Sequence, residues 1–275
     1  MQTEKGGLTT PFNKPLRPDS YVQQTLLRYT GSEQTDFKRY VLLTNFSDYV
    51  ERFKALGDHV HRSQTWESVH NDGLDCSMVS FGIGSPAAAM VMHCLGYLDQ
   101  VDAVIMLGMA GGLAEEMQIG DIVLPTASIR DEGASQHYLH SNTPALPNFK
   151  VQHVIQQTAV EMGIKARSGI FKTTDYRMWE FDEDFADVLK DQKVVAIDME
   201  ISALFSVGYA LRKPIGAIML ISDLPLLRTG IKRSESTREF LAEFCQKHLD
   251  LGIRAVKNLK KEKVFQIGEV LSFEW

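Results

Sequence analysis

The chain has 275 residues, 44% of them hydrophobic, enough to bury one substantial core, so one large domain is expected in preference to two small ones. Lys and Arg total 29 against 35 Asp and Glu, a formal charge of -6, which argues against the basic face that a nucleic-acid polymer demands but leaves room for a small anion held by a few arginines. Cys76, Cys94 and Cys245 are odd in number, far apart and in no CxxC pair, and no apolar stretch approaches a membrane span, so disulfides, a zinc site and a membrane partner are not expected and a reducing, cytoplasmic setting is.

Residues 1–20 carry Pro11, Pro15, Pro18 and a glycine pair, without an apolar signal core, and read as an extended or disordered arm before a single domain over 21–275. Apolar runs of strand length then alternate with amphipathic stretches: RYVLLTN (39–45) before FSDYVERFKAL, CSMVSFGIG (76–84) before SPAAAMVMHCLGYL, and VDAVIMLG (101–108) with no long helix after it. Ser85-Pro86 reads as a helix start, serine capping free N–H groups and proline fitting the first turn. Further on come RSGIFKTTD (167–175), KVVAIDME (193–200) opening into ISALFSVGYALR, and PIGAIMLISD (214–223), whose continuous apolar run suits a strand buried on both faces. A last helix spans about 235–261, with Phe240, Leu241, Phe244, His248, Leu251 and Ala255 along one side. The alternation predicts an α/β fold, a mostly parallel sheet with helices on both faces.

Three features carry chemistry. The glycine cluster GMAGGL, with Gly108, Gly111 and Gly112, lacks the spacing of a dinucleotide fingerprint and runs into another strand, IVLP, so it reads as a tight turn or a close backbone approach. GIGSPAA, with Gly84, precedes a helix but has no third glycine in place. In AIDME, Asp198 and Glu200 flank Met199 where a strand meets a helix; acids are common there because they favour the positive helix end, yet the open ends of parallel strands are also where such sheets bind ligands. In LISD, Asp223 ends the most apolar strand, a setting that desolvates a carboxyl and favours its proton-donating form; a turn-capping aspartate is the equal alternative.

GMAGGL, IGDIVLP, IRDEGASQHY, AIDME and LISD, in this order and at these separations, resemble the nucleoside phosphorylase/nucleosidase superfamily. LLTNFSDYV, TTDYRMWE and the terminal FEW are similar to its AMP nucleosidases, in particular the short form without an added amino-terminal regulatory domain. The resemblance, over about 28–275, implies a three-layer α/β/α sandwich around a mixed, partly barrel-like sheet, and cleavage of an N-glycosidic bond without metal or other cofactor. It assigns Asp223 to acid assistance at the purine, Met199 and Glu200 to the ribose, Asp175, Tyr176, Arg177 and Trp179 to the base-facing loop, and Gly84, Gly108 and Gly111 to the pocket. A carboxylate on the sugar suits its oxocarbenium character as the bond breaks, and an acid at the leaving nitrogen removes the other developing charge.

Phosphorylases of the superfamily hold phosphate with an arginine and a serine at positions that read Met106 and Met109 here, and with a glycine-aspartate-proline turn where this chain has Thr44-Asn45-Phe46. A dianion without donors is costly, so hydrolysis of AMP to adenine and ribose 5-phosphate is the expected reaction. The alternatives are a purine or uridine nucleoside phosphorylase, or an inert nucleotide-binding relative. Candidates for the 5′-phosphate are Arg28, Arg130, Arg177 and Arg233, with Lys172 and Lys232 behind them. Glu132 is a chemically possible water-activating base, and the histidines His93, His137 and His140 read as structural or exposed. By resemblance a homo-oligomer, dimer or hexamer, is expected.

Overall fold

The computed structural model describes residues 19–56, 59–63, 65–226 and 234–262. Arg233, Lys232 and the terminal FEW lie outside them, as does the arm up to residue 18; its last two positions belong to a helix, because α1 begins at Asp19.

The strands are β1 (Tyr40–Thr44), β2 (His59–Arg62), β3 (Glu67–Asn71), β4 (Cys76–Ser80), β5 (Ala103–Gly112), β6 (Ile122–Asp131), β7 (Ala166–Thr174), β8 (Ala196–Asp198) and β9 (Ile215–Asp223). The helices are α1 (Asp19–Thr30), α2 (Ser47–Lys54), α3 (Ser85–Gly96), α4 (Phe149–Glu161), α5 (Glu183–Asp191), α6 (Ile201–Ala210) and α7 (Ser234–Glu262). The strands form one sheet in the order β2-β3-β4-β1-β5-β8-β7-β6-β9, and a further pairing of β9 with β5 closes its last five strands into a small barrel. Pairs β1/β4, β1/β5, β5/β9, β6/β7 and β7/β8 are parallel, while β2/β3, β3/β4, β5/β8 and β6/β9 are antiparallel.

Helices cover both faces and give the sandwich its outer layers. On one side α1, α3 and α6 contribute Leu26, Met92, Leu95, Leu204 and Phe205 to a cluster with Val41, Val104 and Ala217 of the sheet. On the other side α2, α4 and α7 contribute Phe53, Val154, Leu249 and Leu259 to a cluster with Leu42, Ile105 and Leu220. Consecutive strand residues thus serve opposite clusters, which is why β1, β5 and β9 read as unbroken apolar runs rather than alternating ones. His248 of α7 is fully buried: its Nδ1 lies 2.8 Å from the Tyr49 hydroxyl and its Nε2 3.0 Å from the Ile218 carbonyl oxygen, tying α2, α7 and β9 together. Burial pushes this imidazole down to about 4, so it is neutral at physiological pH.

Of the two readings of the glycine cluster the structure takes close approach, and the reading of Ser85 as a cap is corrected. The glycine cluster is no turn: Gly108, Gly111 and Gly112 lie inside β5, and none has a positive φ. Their small size is needed for close packing, since a Cβ would stand 2.7 Å from Met219 Cε at Gly108 and 3.0 Å from Pro225 Cγ at Gly111. Ser85 does not cap α3. Gly84 occupies the N-cap with φ +99°, a conformation that favours glycine, and Ser85 instead donates its hydroxyl to the Met199 carbonyl at 2.8 Å.

Candidate active site

The short strand β8 delivers its chain end into a turn before α6. Glu200 sits in that turn with φ -135° and ψ -40°, outside helical geometry, and is 2% exposed. Its Oε1 accepts the Gly84 N–H at 2.8 Å and its Oε2 accepts the Met199 N–H at 3.3 Å, while the Asn45 side chain adds a hydrogen bond. Burial, and after it the charge of Asp198, push the Glu200 carboxyl above the usual carboxylate range against these bonds. Asn45 Oδ1 is itself buried without a hydrogen-bond partner among the described residues.

Asp198 is the cap that makes the turn. Its Oδ2 accepts the N–H groups of Glu200 at 2.9 Å and Ile201 at 2.7 Å, satisfying donors that the start of a helix leaves free, and its Oδ1 accepts the Thr173 hydroxyl at 2.7 Å. Burial pushes its carboxyl up as well, the hydrogen bonds oppose this, and nearby Glu132 adds to the rise. Glu132 is buried with both oxygens engaged, one by the Ser135 N–H and one by the Ser202 hydroxyl, each at 2.9 Å.

Asp223 reaches the same region from the other side of β5. Gly111 pairs with Ile197 of β8 in antiparallel register and with Asp223 of β9 in parallel register, so this stretch of β5 lies between the two acids' strands. Two strand spacings set the backbones of the Asp198–Glu200 turn and of Asp223 about 10 Å apart. Asp223 is half-buried and accepts the Ser222 hydroxyl at 2.6 Å. Met199, half-buried, lies on the Glu200 side of this span.

The remaining candidates divide. Arg130 does not present a free guanidinium: it donates to the Ser135 hydroxyl and to the carbonyls of Leu139, His140 and Thr143, at 2.6 to 3.0 Å, and so braces the 139–143 loop. Lys172 is buried between Asp131 and Gln192, both at 3.1 Å. Arg28 is exposed and lies over the Tyr29 ring. In the loop after β7, Asp175 accepts the Gly133 N–H, Tyr176 and Arg177 are exposed, and Arg177 pairs with Glu180. Trp179 is 4% exposed and packs with Leu189, Val194 and Ile197 and against Phe185, which makes it a packing residue rather than an accessible stacking platform. Met106 lies fully buried in the cluster on the α3/α6 side and Met109 packs on the other, so the two point to opposite faces of β5. His93 bonds Tyr138 at 2.9 Å, and His137 and His140 are exposed. Thr173, Ser202 and Ser85 also hold the site, and in the sequence their only signal is a hydroxyl residue where an apolar one would pack.

The sequence profile of the phosphorylase superfamily matches residues 39–259. The crystal structure of AMP nucleosidase from Bacteroides thetaiotaomicron VPI-5482 superposes with a TM-score of 0.78 at 35% identity, over 89% of this chain and 98% of that one. AMP nucleosidase of Escherichia coli (strain K12) is 28% identical over 86% of this chain, which spans 58% of that protein's length. Uridine phosphorylase of Thermococcus kodakarensis is 26% identical over 64% of this chain and 70% of its own.

Proposed function

We propose that this chain, which belongs to the phosphorylase superfamily, hydrolyses the N-glycosidic bond of AMP to adenine and ribose 5-phosphate. The observation that carries the reading is the placing of Glu200, buried and aimed by the Gly84 and Met199 amides, across β5 from the half-buried Asp223. In this reading Glu200 binds the ribose hydroxyls, with Met199 against the sugar. As the bond to the base lengthens, positive charge grows on the sugar and draws the Glu200 carboxyl toward its ionised form, whose charge in this desolvated setting is worth more than it would be in water. Asp223 meets the purine and donates a proton or hydrogen bond to N7, which takes up charge from the departing base and makes it a better leaving group.

Water is the acceptor in this scheme. Neither Met106 nor Met109 offers a donor to inorganic phosphate, and Met106 is sealed in the core. The substrate is taken as AMP because AMP nucleosidases stand among the chain's relatives, one at 35% identity over 98% of its length. Arg177, exposed beyond β7, is assigned to the 5′-phosphate, whereas Arg130 is engaged by its loop. Chromatography of products from AMP, adenosine, methylthioadenosine, inosine and uridine, with and without phosphate, tests the proposal. Adenine and ribose 5-phosphate from AMP alone support it; a product that forms only with phosphate overturns it.

A further inference from the structure

One hydroxyl links Asp198, at the entrance of the turn that carries Met199 and Glu200, to the neighbouring strand and to α6. Thr173 of β7 is fully buried and stands beside Asp198 in the parallel register of β7 and β8. Its Oγ1 donates to Asp198 Oδ1 at 2.7 Å and accepts the Ser202 N–H of α6 at 3.0 Å. A carboxylate oxygen only accepts, so the one hydroxyl proton of Thr173 goes to Asp198. Ser128 of β6, 2.8 Å away, then donates into the remaining lone pair. All the hydrogen-bonding capacity of this atom is used, and it joins β6, β7 and β8 to the first turn of α6. Ser202 extends the connection, since its own hydroxyl donates to Glu132.

We propose that Thr173 is a positioning residue: its hydroxyl fixes Asp198 and the first turn of α6 in place and thereby aims Glu200. The inference rests on the reading of Glu200 as the sugar-binding acid. Without the hydroxyl, Asp198 keeps the Glu200 and Ile201 amides but loses its anchor to the neighbouring strand, and the buried Ser202 N–H loses its acceptor. The turn is then free to shift, and a displacement of about 1 Å at a reacting centre lowers rates about a hundredfold. Glu200 faces Asp198 from its own turn, and burial together with the charge of Glu132, just beyond the end of β6, disfavours the ionised form of Asp198. The Thr173 bond works against them, so its loss lets Asp198 hold a proton to higher pH.

The test compares Thr173→Val, which keeps the shape without the hydroxyl, with Thr173→Ser, which keeps the hydroxyl. For Thr173→Val we expect kcat on AMP to fall at least about tenfold, with KM changed less than about threefold, and the acid limb of the pH profile to move upward. Amide hydrogen exchange over residues 199–206 should quicken in the same variant, and Thr173→Ser should restore all of these. Equal behaviour of the two variants, or a Thr173→Val protein with unchanged kcat and exchange, overturns the proposal. If the wild type releases no base from any nucleotide, the functional reading falls, while the exchange contrast still decides the role of Thr173. Should Thr173→Val not fold, Ser128→Ala, which removes one donor to the same hydroxyl, is expected to shift kcat and exchange in the same direction by less; no shift overturns the proposal.

Discussion

Replacing Glu200 by glutamine separates its chemical role from its structural one. In the wild type both carboxyl oxygens accept backbone N–H groups, Gly84 at 2.8 Å and Met199 at 3.3 Å. An amide has one oxygen; turned toward Gly84, the shorter contact, it sets its NH2 against the Met199 N–H, donor against donor. Losing that longer bond costs about 1 kcal/mol, and removing an acidic group that is buried beside Asp198 offsets it. The sign follows from linkage. The Glu200 carboxyl is held above its ordinary range in the folded protein, so above about pH 4.5 the unfolded chain releases a proton that the fold retains. Its contribution to stability therefore falls as pH rises toward the folded-state value, and the glutamine variant lacks that fall. Activity goes the other way: a group that stabilises charge in the transition state contributes about 3–4 kcal/mol, or about 10²–10³ in kcat. Steady-state adenine release from AMP, together with urea unfolding at pH 5 and pH 8, reads both effects. A variant as stable as the wild type at pH 8 with kcat reduced by about that factor is expected; kcat within about threefold of wild type would remove Glu200 from the reacting sugar.

Other consequences are open to measurement. His248, held at about 4 in the folded protein against an ordinary 6.5, takes up a proton on unfolding between those values, so its contribution to stability falls as pH drops below 6.5 and levels off below 4; between pH 7 and pH 5 the wild type should lose about 2 kcal/mol relative to His248→Gln in urea unfolding, and an equal pH dependence of the two would refute this. Arg177→Ala should raise KM for AMP about tenfold while leaving adenosine cleavage unaltered, whereas Arg130→Ala should destabilise by about 1–3 kcal/mol and leave the AMP-to-adenosine preference unchanged; the reverse pattern would exchange their roles. Gly84→Ala places a side chain at φ +99° and should cost about 1–3 kcal/mol, with a drop in kcat because the amide that holds Glu200 moves; unaltered kinetics would show that the Gly84 contact does not matter to the site.

The buried strands and their acids were legible in the sequence because β1, β5 and β9 serve clusters on both faces and so run apolar without interruption, up to Asp223 in the last case. The edge of the sheet was not. β2 and β3 read HVHR and ESVHN, in which His70 and Ser68 are buried through hydrogen bonds to Ser32 rather than by apolar character. The helices α1, α4 and α5 also escaped notice, although α4 buries Val151, Val154, Ile155, Thr158 and Ala159 at helical spacing. Closure of the barrel depends on β9 pairing with both β5 and β6, contacts between distant segments that no local pattern records. Glycine type alone did not distinguish the strand packing of Gly108 and Gly111 from the positive φ of Gly84, since both demand a missing side chain for different physical reasons. Thr173 was hidden for a like reason: its partners lie 25, 29 and 45 residues away along the chain.

Water as the attacking group is the central claim, and it is tested most directly by running the reaction on AMP in oxygen-18 water with saturating inorganic phosphate. The account predicts adenine and ribose 5-phosphate carrying the heavy oxygen on the anomeric carbon, formed at a rate that phosphate does not increase. Unlabelled ribose 1,5-bisphosphate, formed only when phosphate is present, would contradict it.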